Sequence, residues 1–496
     1  MSASPCHPIV YIRGYAGTQA EVEDTVADPY MGFNIGSTKL RQRWTGEIDR
    51  HIFESPLIRL MKEHGYMDAF RGGAEFGPGE VAPARSVWIY RYYEQVSEQL
   101  GSGERPEMET YALGLGEFLQ KVRDRVAGDD PRARARFRVH LVAHSMGGLI
   151  ARSYLQKYID EFDDPVRVDK VFTYGTPHRG IDLRLIGNIP RLFGWNNADN
   201  FNVERMREYL GLDAGEPVNS LGGRFPPKRF FCLIGTDSRD YEVVKGLAAL
   251  AVGPMSDGLV RIRNAYVEGA PRAMVHRAHS GHFGLVNSEE GYQNLTRFLF
   301  GDLRVEGDLE AGAITLPPAV RRAKEEGARI RASYHVEVVV SVRGHPWDLH
   351  RRTVAEQSAI FRPYDRWVKE GRPVRLFSLY PARWARVAGT RSLGFCLDLR
   401  ILVPEYEVEG RLFRREYYAG GHLLREKFNL ELDPDRPGRL RWGLDSRTPN
   451  RATRSIEAQT LPDGTRRFRI PVSQRSRPGF EGALVLRVGP WNEGPA

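Results

Sequence analysis

The pentapeptide Ala143-His144-Ser145-Met146-Gly147 carries the clearest chemical signal in the sequence. It closes an apolar run, Val139-His140-Leu141-Val142-Ala143, with the continuous character of a strand buried on both faces. It opens the segment Leu149-Ile150-Ala151-Arg152-Ser153-Tyr154-Leu155, whose pattern is helical. A strand that turns sharply into a helix around a serine strains the backbone there and admits only small side chains two positions to either side. Ala143 and Gly147 meet that demand. The turn lifts the Ser145 hydroxyl above a sheet and puts the Met146 N–H at a helix N-terminus, where it can stabilise an oxyanion. The chemistry such a serine performs is nucleophilic acyl transfer. Downstream, Asp237, Asp240 and Asp257 precede the clustered His276, His279 and His282, so groups able to take and stabilise its proton are at hand.

The elements needed to hold such a serine are legible around it. Apolar, β-rich runs at 8–12, 86–92, 137–143, 168–174, 230–235 and 273–277 alternate with helical patterns at 108–126, 147–158 and 288–300. This alternation predicts a parallel sheet covered by helices on both faces. Ser288 is a candidate N-cap of the last helix, with Glu289 and Glu290 in the first turn, where the helix dipole favours negative charge. In such sheets ligands bind beyond the carboxyl ends of the strands, and the serine sits at one of those ends. The length of 496 residues, with 41% hydrophobic and 27% charged side chains, is that of a globular chain of several domains and excludes disorder, collagen and a disulfide scaffold.

With the serine placed in this way, residues 8–300 resemble a bacterial lipase or esterase of the α/β-hydrolase fold. Several motifs carry the resemblance. Pro8-Ile9-Val10-Tyr11-Ile12 runs into Arg13-Gly14-Tyr15-Ala16-Gly17, where the family has a His-Gly-x-x-Gly oxyanion loop. The serine pentapeptide stands for G-x-S-x-G, with Ala143 in place of the first glycine. Gly175-Thr176-Pro177-His178-Arg179-Gly180 resembles a segment common after the fifth strand in such lipases, and Ser256-Asp257-Gly258-Leu259-Val260 resembles the (Asn/Ser)-Asp-Gly-x-Val element that carries the catalytic acid. The family order of serine, acid, then histidine after the last strand implies Asp257 as the acid, with Asp237 and Asp240 as solvated loop carboxylates. It implies His282 as the base, six residues before Ser288 and followed by Val286-Asn287, with His279 as the alternative. His276 is expected in the strand, and His144 and His178 are expected to be structural. Tyr15 N–H becomes the second oxyanion donor beside Met146. Arg13 replaces the family's histidine and leaves that backbone donor in place.

The resemblance implies hydrolysis of carboxylic esters, small-molecule or lipid, through an acyl-enzyme on Ser145. It calls for no cofactor, and no His/Cys/Asp cluster has metal-ligand spacing. The same residues would serve an acyltransferase or thioesterase. A rival of another class is a non-catalytic scaffold whose binding is done by the C-terminal part. Two insertions, 18–85 and 181–229, are longer than connections need. The first suggests a small cap, with Tyr30-Met31-Gly32-Phe33 and a helical pattern at 52–61. The second holds Leu183, Leu185, Ile186, Ile189, Leu192, Phe193 and Trp195, read equally as a lid or as a packed inserted helix.

Past the hydrolase-like region, 1–303, the pattern changes. A linker is expected at 304–330, from Glu306, Asp308, Glu310 and Pro317-Pro318, and an antiparallel β-sandwich over 331–496, from short alternating runs such as 333–342, 374–380, 395–403, 414–418, 423–432, 466–472 and 483–488. Residues 1–300 hold 37 basic and 38 acidic side chains, whereas 301–496 hold 35 and 25. The excess positive charge thus lies in a region without catalytic spacing. It suggests peripheral contact with a membrane or acidic surface; no nucleic-acid signature accompanies it. Cys6, Cys232 and Cys396 form neither a disulfide framework nor a metal motif. With no leader pattern and no apolar stretch near the ~20 residues of a span, a soluble cytoplasmic protein is the expectation. Nothing in the residues sets an oligomeric state.

Overall fold

Ile9–Ile12 (β1) is apolar and buried at all four positions. Successive strand residues point to opposite faces, so both faces of the sheet are covered there. The computed structural model describes residues 6–16, 18–71, 74–77, 79–181, 198–238, 255–282, 284–343, 345–386, 390–410 and 415–492. It divides into two units: Met1–Arg272 with His276–Leu295, and Ala273–Val275 with Thr296–Ala496.

In the first unit, Ser37–Gln42 (β2) and Ile48–Phe53 (β3) form a separate hairpin. The main strands are Met67–Asp68 (β4), Ser86–Tyr90 (β5), Arg138–His144 (β6), Arg167–Tyr174 (β7) and Phe230–Gly235 (β8). With β1 they pair in parallel in the order β8-β7-β6-β1-β5-β4. The chain starts at the centre, moves out one way, then crosses back to build the other half from β6. The switch point lies between β1 and β6, and the crevice beyond their carboxyl ends is where such sheets bind ligands. This is the α/β-hydrolase arrangement.

The helices follow their local signals. Gln19–Ala27 (α1) opens with a capping box between Thr18 and Glu21. Pro56–His64 (α2) is capped by Ser55, whose Oγ accepts the Ile58 N–H at 3.2 Å. The expected helix at 52–61 is corrected: Ile52 belongs to β3, and the Ser55-Pro56 pair starts the helix four residues later than the pattern suggested. Met108–Ala127 (α3) buries Leu115, Leu119 and Val122 at helical spacing. Met146–Gln156 (α4) is buried throughout, and Val203–Leu210 (α5) lies in the second insertion. Glu289–Phe300 (α6) is capped by Ser288, which accepts the Gly291 N–H at 3.0 Å. Leu183, Leu185, Ile186, Ile189, Leu192, Phe193 and Trp195 lie outside the described residues.

Among the described residues, the second unit is a pair of antiparallel sheets, one of five strands and one of eight. Val336, Val338 and Val340 of one and Leu484, Leu486 and Val488 of the other belong to a single buried core. The linker expected at 304–330 is corrected. Leu303–Thr315 is a strand paired along its length with Gly479–Pro490 and also with Val374–Leu379, and Pro318–Glu325 (α7) follows it. Val305 and Leu309 are buried, while Glu306 and Asp308 meet Arg375 of a paired strand and Glu310 meets Arg467 one strand further on. The runs 414–418 and 423–432 are likewise one strand, Arg415–Leu432. It runs through the glycines, with Gly421 paired to Val403, and carries one extra residue, Leu423, where its partner Leu393–Glu409 steps from Ile401 to Leu402.

Candidate active site

Ser145 sits between β6 and α4 with φ 51° and ψ −122°. Such a conformation in a non-glycine residue costs about 1–3 kcal/mol and persists only where its surroundings enforce it. Its own N–H donates to the Tyr174 carbonyl at 2.9 Å, and its carbonyl accepts the Gly148 N–H at 3.1 Å. A side chain at Gly147 would run into the Ile12 and Arg13 carbonyl oxygens; one at Gly14 would come within 2.7 Å of Ser145 Cβ. The loop after β1 therefore lies directly on the serine turn, and both glycines are sites of close approach.

Asp257 is buried, and each carboxylate oxygen has a separate set of partners. Oδ1 accepts the N–H groups of Leu259 (3.1 Å) and Val260 (2.7 Å), a local turn that fixes the side chain. Oδ2 lies 2.9 Å from His279 Nδ1, and His279 Nε2 lies 3.0 Å from Ser145 Oγ. The His279 backbone N–H also donates to the Asp257 carbonyl at 2.9 Å. At the end of β7, Gly175 takes φ 55°, and a Cβ there would stand 3.0 Å from both Asp257 Oδ2 and His279 Nδ1. A glycine is required to leave room for this pair.

The expectation that His282 meets the serine is corrected: His279 occupies that position. The chain reverses at 281–284, with Gly284 N–H donating to the Gly281 carbonyl at 3.0 Å and Leu285 N–H to the Ala278 carbonyl at 3.0 Å. This turn sends His282 into solvent and folds His279 back toward Asp257. His276 lies one residue past the strand Arg272–Val275 and faces Asp237, with Nε2 3.7 Å from Oδ2. Asp237 is buried rather than solvated; Asp240 lies outside the described residues.

Two further histidines are buried. His144 is held well below the ordinary imidazole pKa, by burial and then by neighbouring His279. It is thus neutral, and its Nε2 lies 3.0 Å from the His279 carbonyl, a bond that assigns the proton to Nε2. It braces the backbone of His279 from below. His178, also depressed by burial, meets Thr173 Oγ1 at 3.2 Å, and its carbonyl accepts from Arg152 at 3.1 Å.

The loop after β1 is supported by two tyrosines. Tyr92 Oη donates toward the Arg13 (3.0 Å) and Gly14 (3.2 Å) carbonyls; Tyr93 Oη donates to the Gly14 carbonyl (3.1 Å) and accepts the Ala16 N–H (2.7 Å). Both tyrosines follow β5, far away in sequence, so no local motif announces them. Arg13 turns aside to the Met31 carbonyl at 2.5 Å. Tyr15 lines the cavity over Ser145, and Met146 is the first residue of α4, whose N–H has no intrahelical acceptor by position. The cavity holds about 430 Å³, with Met31, Phe33, Ile35 and Val286 as apolar lining and Asp24 among its acids. Among the described residues, no group of three or more His, Cys, Asp or Glu side chains is placed to hold a metal ion.

An α/β-hydrolase fold with a strained serine at the switch point is what the sheet order and this turn define. No family model matches the sequence, and no curated protein matches it. Solved structures with a distant likeness include the lipase BlEst2 of Bacillus licheniformis in mature form, 17% identical with TM-score 0.31, covering 60% of this chain and 92% of that one. Phospholipase PlaB of Legionella pneumophila is 12% identical with TM-score 0.35, covering 79% and 86%. A thermophilic esterase of Thermogutta terrifontis is 13% identical with TM-score 0.22, covering 60% and 90%.

Proposed function

We propose that the chain is a serine ester hydrolase acting on small-molecule or lipid carboxylic esters, with Ser145 as nucleophile, His279 as general base and Asp257 as the acid that orients it. The observation that carries this reading is the unbroken line from Asp257 Oδ2 through His279 to Ser145 Oγ, at 2.9 and 3.0 Å. In the first half-reaction Ser145 Oγ bonds to the ester carbonyl carbon as its proton passes to His279 Nε2. Asp257 holds the imidazole with its Nδ1–H inward and stabilises the cation. The carbonyl oxygen becomes an oxyanion, which the backbone N–H groups of Tyr15 and Met146 are suited to receive. Collapse breaks the bond to the leaving alcohol, which takes the proton from His279. Water then repeats the sequence on the acyl-enzyme, releasing the acid and restoring Ser145. The cavity's apolar lining suits an acyl group.

Turnover of p-nitrophenyl esters from acetyl to palmitoyl tests the assignment. Ser145→Ala and His279→Ala are expected to lower kcat by at least ~10³-fold, as removal of members of such a set does. His282→Ala should stay near wild type. Undiminished hydrolysis by Ser145→Ala would overturn the mechanism.

A further inference from the structure

We propose that the β2–β3 hairpin is a docking element for an anionic lipid bilayer, placed to bring the mouth of the candidate active site onto the membrane surface. The register pairs Thr38 with Ile52, Leu40 with Arg50 and Gln42 with Ile48. Directly opposed residues share a face, so Leu40, Ile48 and Ile52 lie together on one side of the ribbon. They are 60%, 64% and 69% exposed, and Trp44, in the turn that joins the strands, is 97% exposed. The hairpin pairs with no third strand among the described residues. A two-stranded ribbon is marginal in water by itself, and a cluster of large apolar side chains on one face marks a surface that meets something. A tryptophan at the projecting tip suits the boundary between headgroups and acyl chains, where the indole ring is apolar and its N–H finds polar partners.

Charge selects the occupant. Residues 37–53 carry Lys39, Arg41, Arg43 and Arg50 against only Glu47 and Asp49. Both acids are met by Arg43, at 3.7 and 2.7 Å. By sequence the ribbon thus joins apolar residues with two more basic than acidic ones, the combination that anionic headgroups attract. Continuity with the cavity gives the docking a purpose. β2 begins two residues after Ile35, which lines the cavity and is itself partly exposed, and Ser37 Oγ donates to the carbonyl of Asn287, another lining residue, at 3.1 Å. An acyl chain leaving the bilayer beside the hairpin would meet Ile35, Phe33 and Met31 before Ser145. That delivery rests on the hydrolase reading; the docking does not.

The test uses the full chain, sedimented with vesicles of phosphatidylcholine alone or mixed with phosphatidylglycerol, comparing wild type, Trp44→Ser and Leu40→Ser/Ile52→Ser. Wild type is expected to bind the mixed vesicles more tightly, and each variant to lose at least about tenfold in partitioning, as removal of one or two buried apolar side chains entails. Hydrolysis of p-nitrophenyl acetate, which needs no surface, should be unchanged in the variants, showing that they are folded. Absence of wild-type binding to mixed vesicles, or equal binding by all three proteins, would overturn the proposal. So would self-association in sedimentation velocity that Trp44→Ser abolishes without any vesicle binding, because the face would then join two copies. Wild type inert toward the acetate ester but bound to vesicles would sink the hydrolase reading and leave the docking standing; circular dichroism then reports the fold of the variants.

Discussion

The two units handle charge in opposite ways. In the second, single carboxylates are each met by two arginines. Asp308 meets Arg375 and Arg487, Glu310 meets Arg467 and Arg469, and Glu431 meets Arg343 and Arg441. Arg375 and Arg487 also meet Glu306, so these clusters hold six arginines against four acids and take up two of the ten excess positive charges in 301–496. These six arginines are partly exposed members of cross-strand ladders. In the first unit the net charge is near zero, yet single charges are buried. Arg152 is fully buried with no carboxylate partner among its hydrogen bonds. It donates to Gln156 and to the carbonyls of His178, Val218 and Ser220, and burial lowers its pKa to about 10. Lys170 is buried beside Asp169, and its pKa falls to about 7, chiefly through desolvation. Ser145 adds a strained backbone. Costs of this kind accumulate where a site must be held in one geometry.

The contrast is broken or sharpened most strongly at the site itself. If strain and burial in the first unit serve catalysis, the difference between the two histidines should be all or nothing. His279→Ala is expected to fall by at least ~10³-fold in kcat with its melting temperature nearly unchanged, whereas exposed His282→Ala should match wild type in both.

Next in size is Arg152. Replacing it by methionine keeps the volume but takes this donor from three carbonyls, two of them buried, each worth about 1–3 kcal/mol when buried and unsatisfied. The expected loss is about 3 kcal/mol in the local stability of α4, read as roughly 100-fold faster native-state hydrogen exchange of its amides. Exchange unchanged from wild type would mean that the buried cation carries no structural load.

Lys170 tests the same idea through pH. Burial favours its neutral form in the native state, so from about pH 7 up to 10.5 the unfolded chain holds a proton that the folded chain does not, and stability rises with pH. Below about pH 7 both states are protonated and the full desolvation cost remains. Lys170→Met should therefore raise Tm by several degrees at pH 6, with the gain shrinking as the pH climbs toward 10. Asp169 keeps its partner Arg229, at 2.7 Å, in the variant. A gain independent of pH would assign the effect to packing.

How much of this was legible follows from range. The serine turn, the strands that carry it and the Asp257 loop are written in contiguous residues, because a strand, a turn and a helix cap are local events. The choice between His279 and His282 was not, since it depends on a reversal at 281–284 that is closed by Asn287 and Leu285 bonding back across the loop. Nor was the support of the loop after β1, where Tyr92 and Tyr93 reach residues almost eighty positions away. The strand Leu303–Thr315 reads as linker in the sequence for the same reason. Its charges look solvated until the partner strands bring their arginines, and only then do Val305 and Leu309 show as the buried face.

The smallest expected effect lies in those ladders. Arg441 is more than half exposed and shares Glu431 with Arg343, so its removal leaves the acid still paired at 2.7 Å. Exposed pairs of this kind contribute about 0.2–1 kcal/mol and are screened by salt. Arg441→Ala should speed hydrogen exchange in the strand Arg439–Leu444 by no more than a few-fold, and raised salt should erase the difference. Truncating Arg343 as well removes both cations from Glu431, which is largely buried, and should cost more than the two single changes together. If instead Arg441→Ala alone unfolded its strand, the ladders would rank with Arg152 rather than against it, and the contrast between the two units would fail at its weaker end.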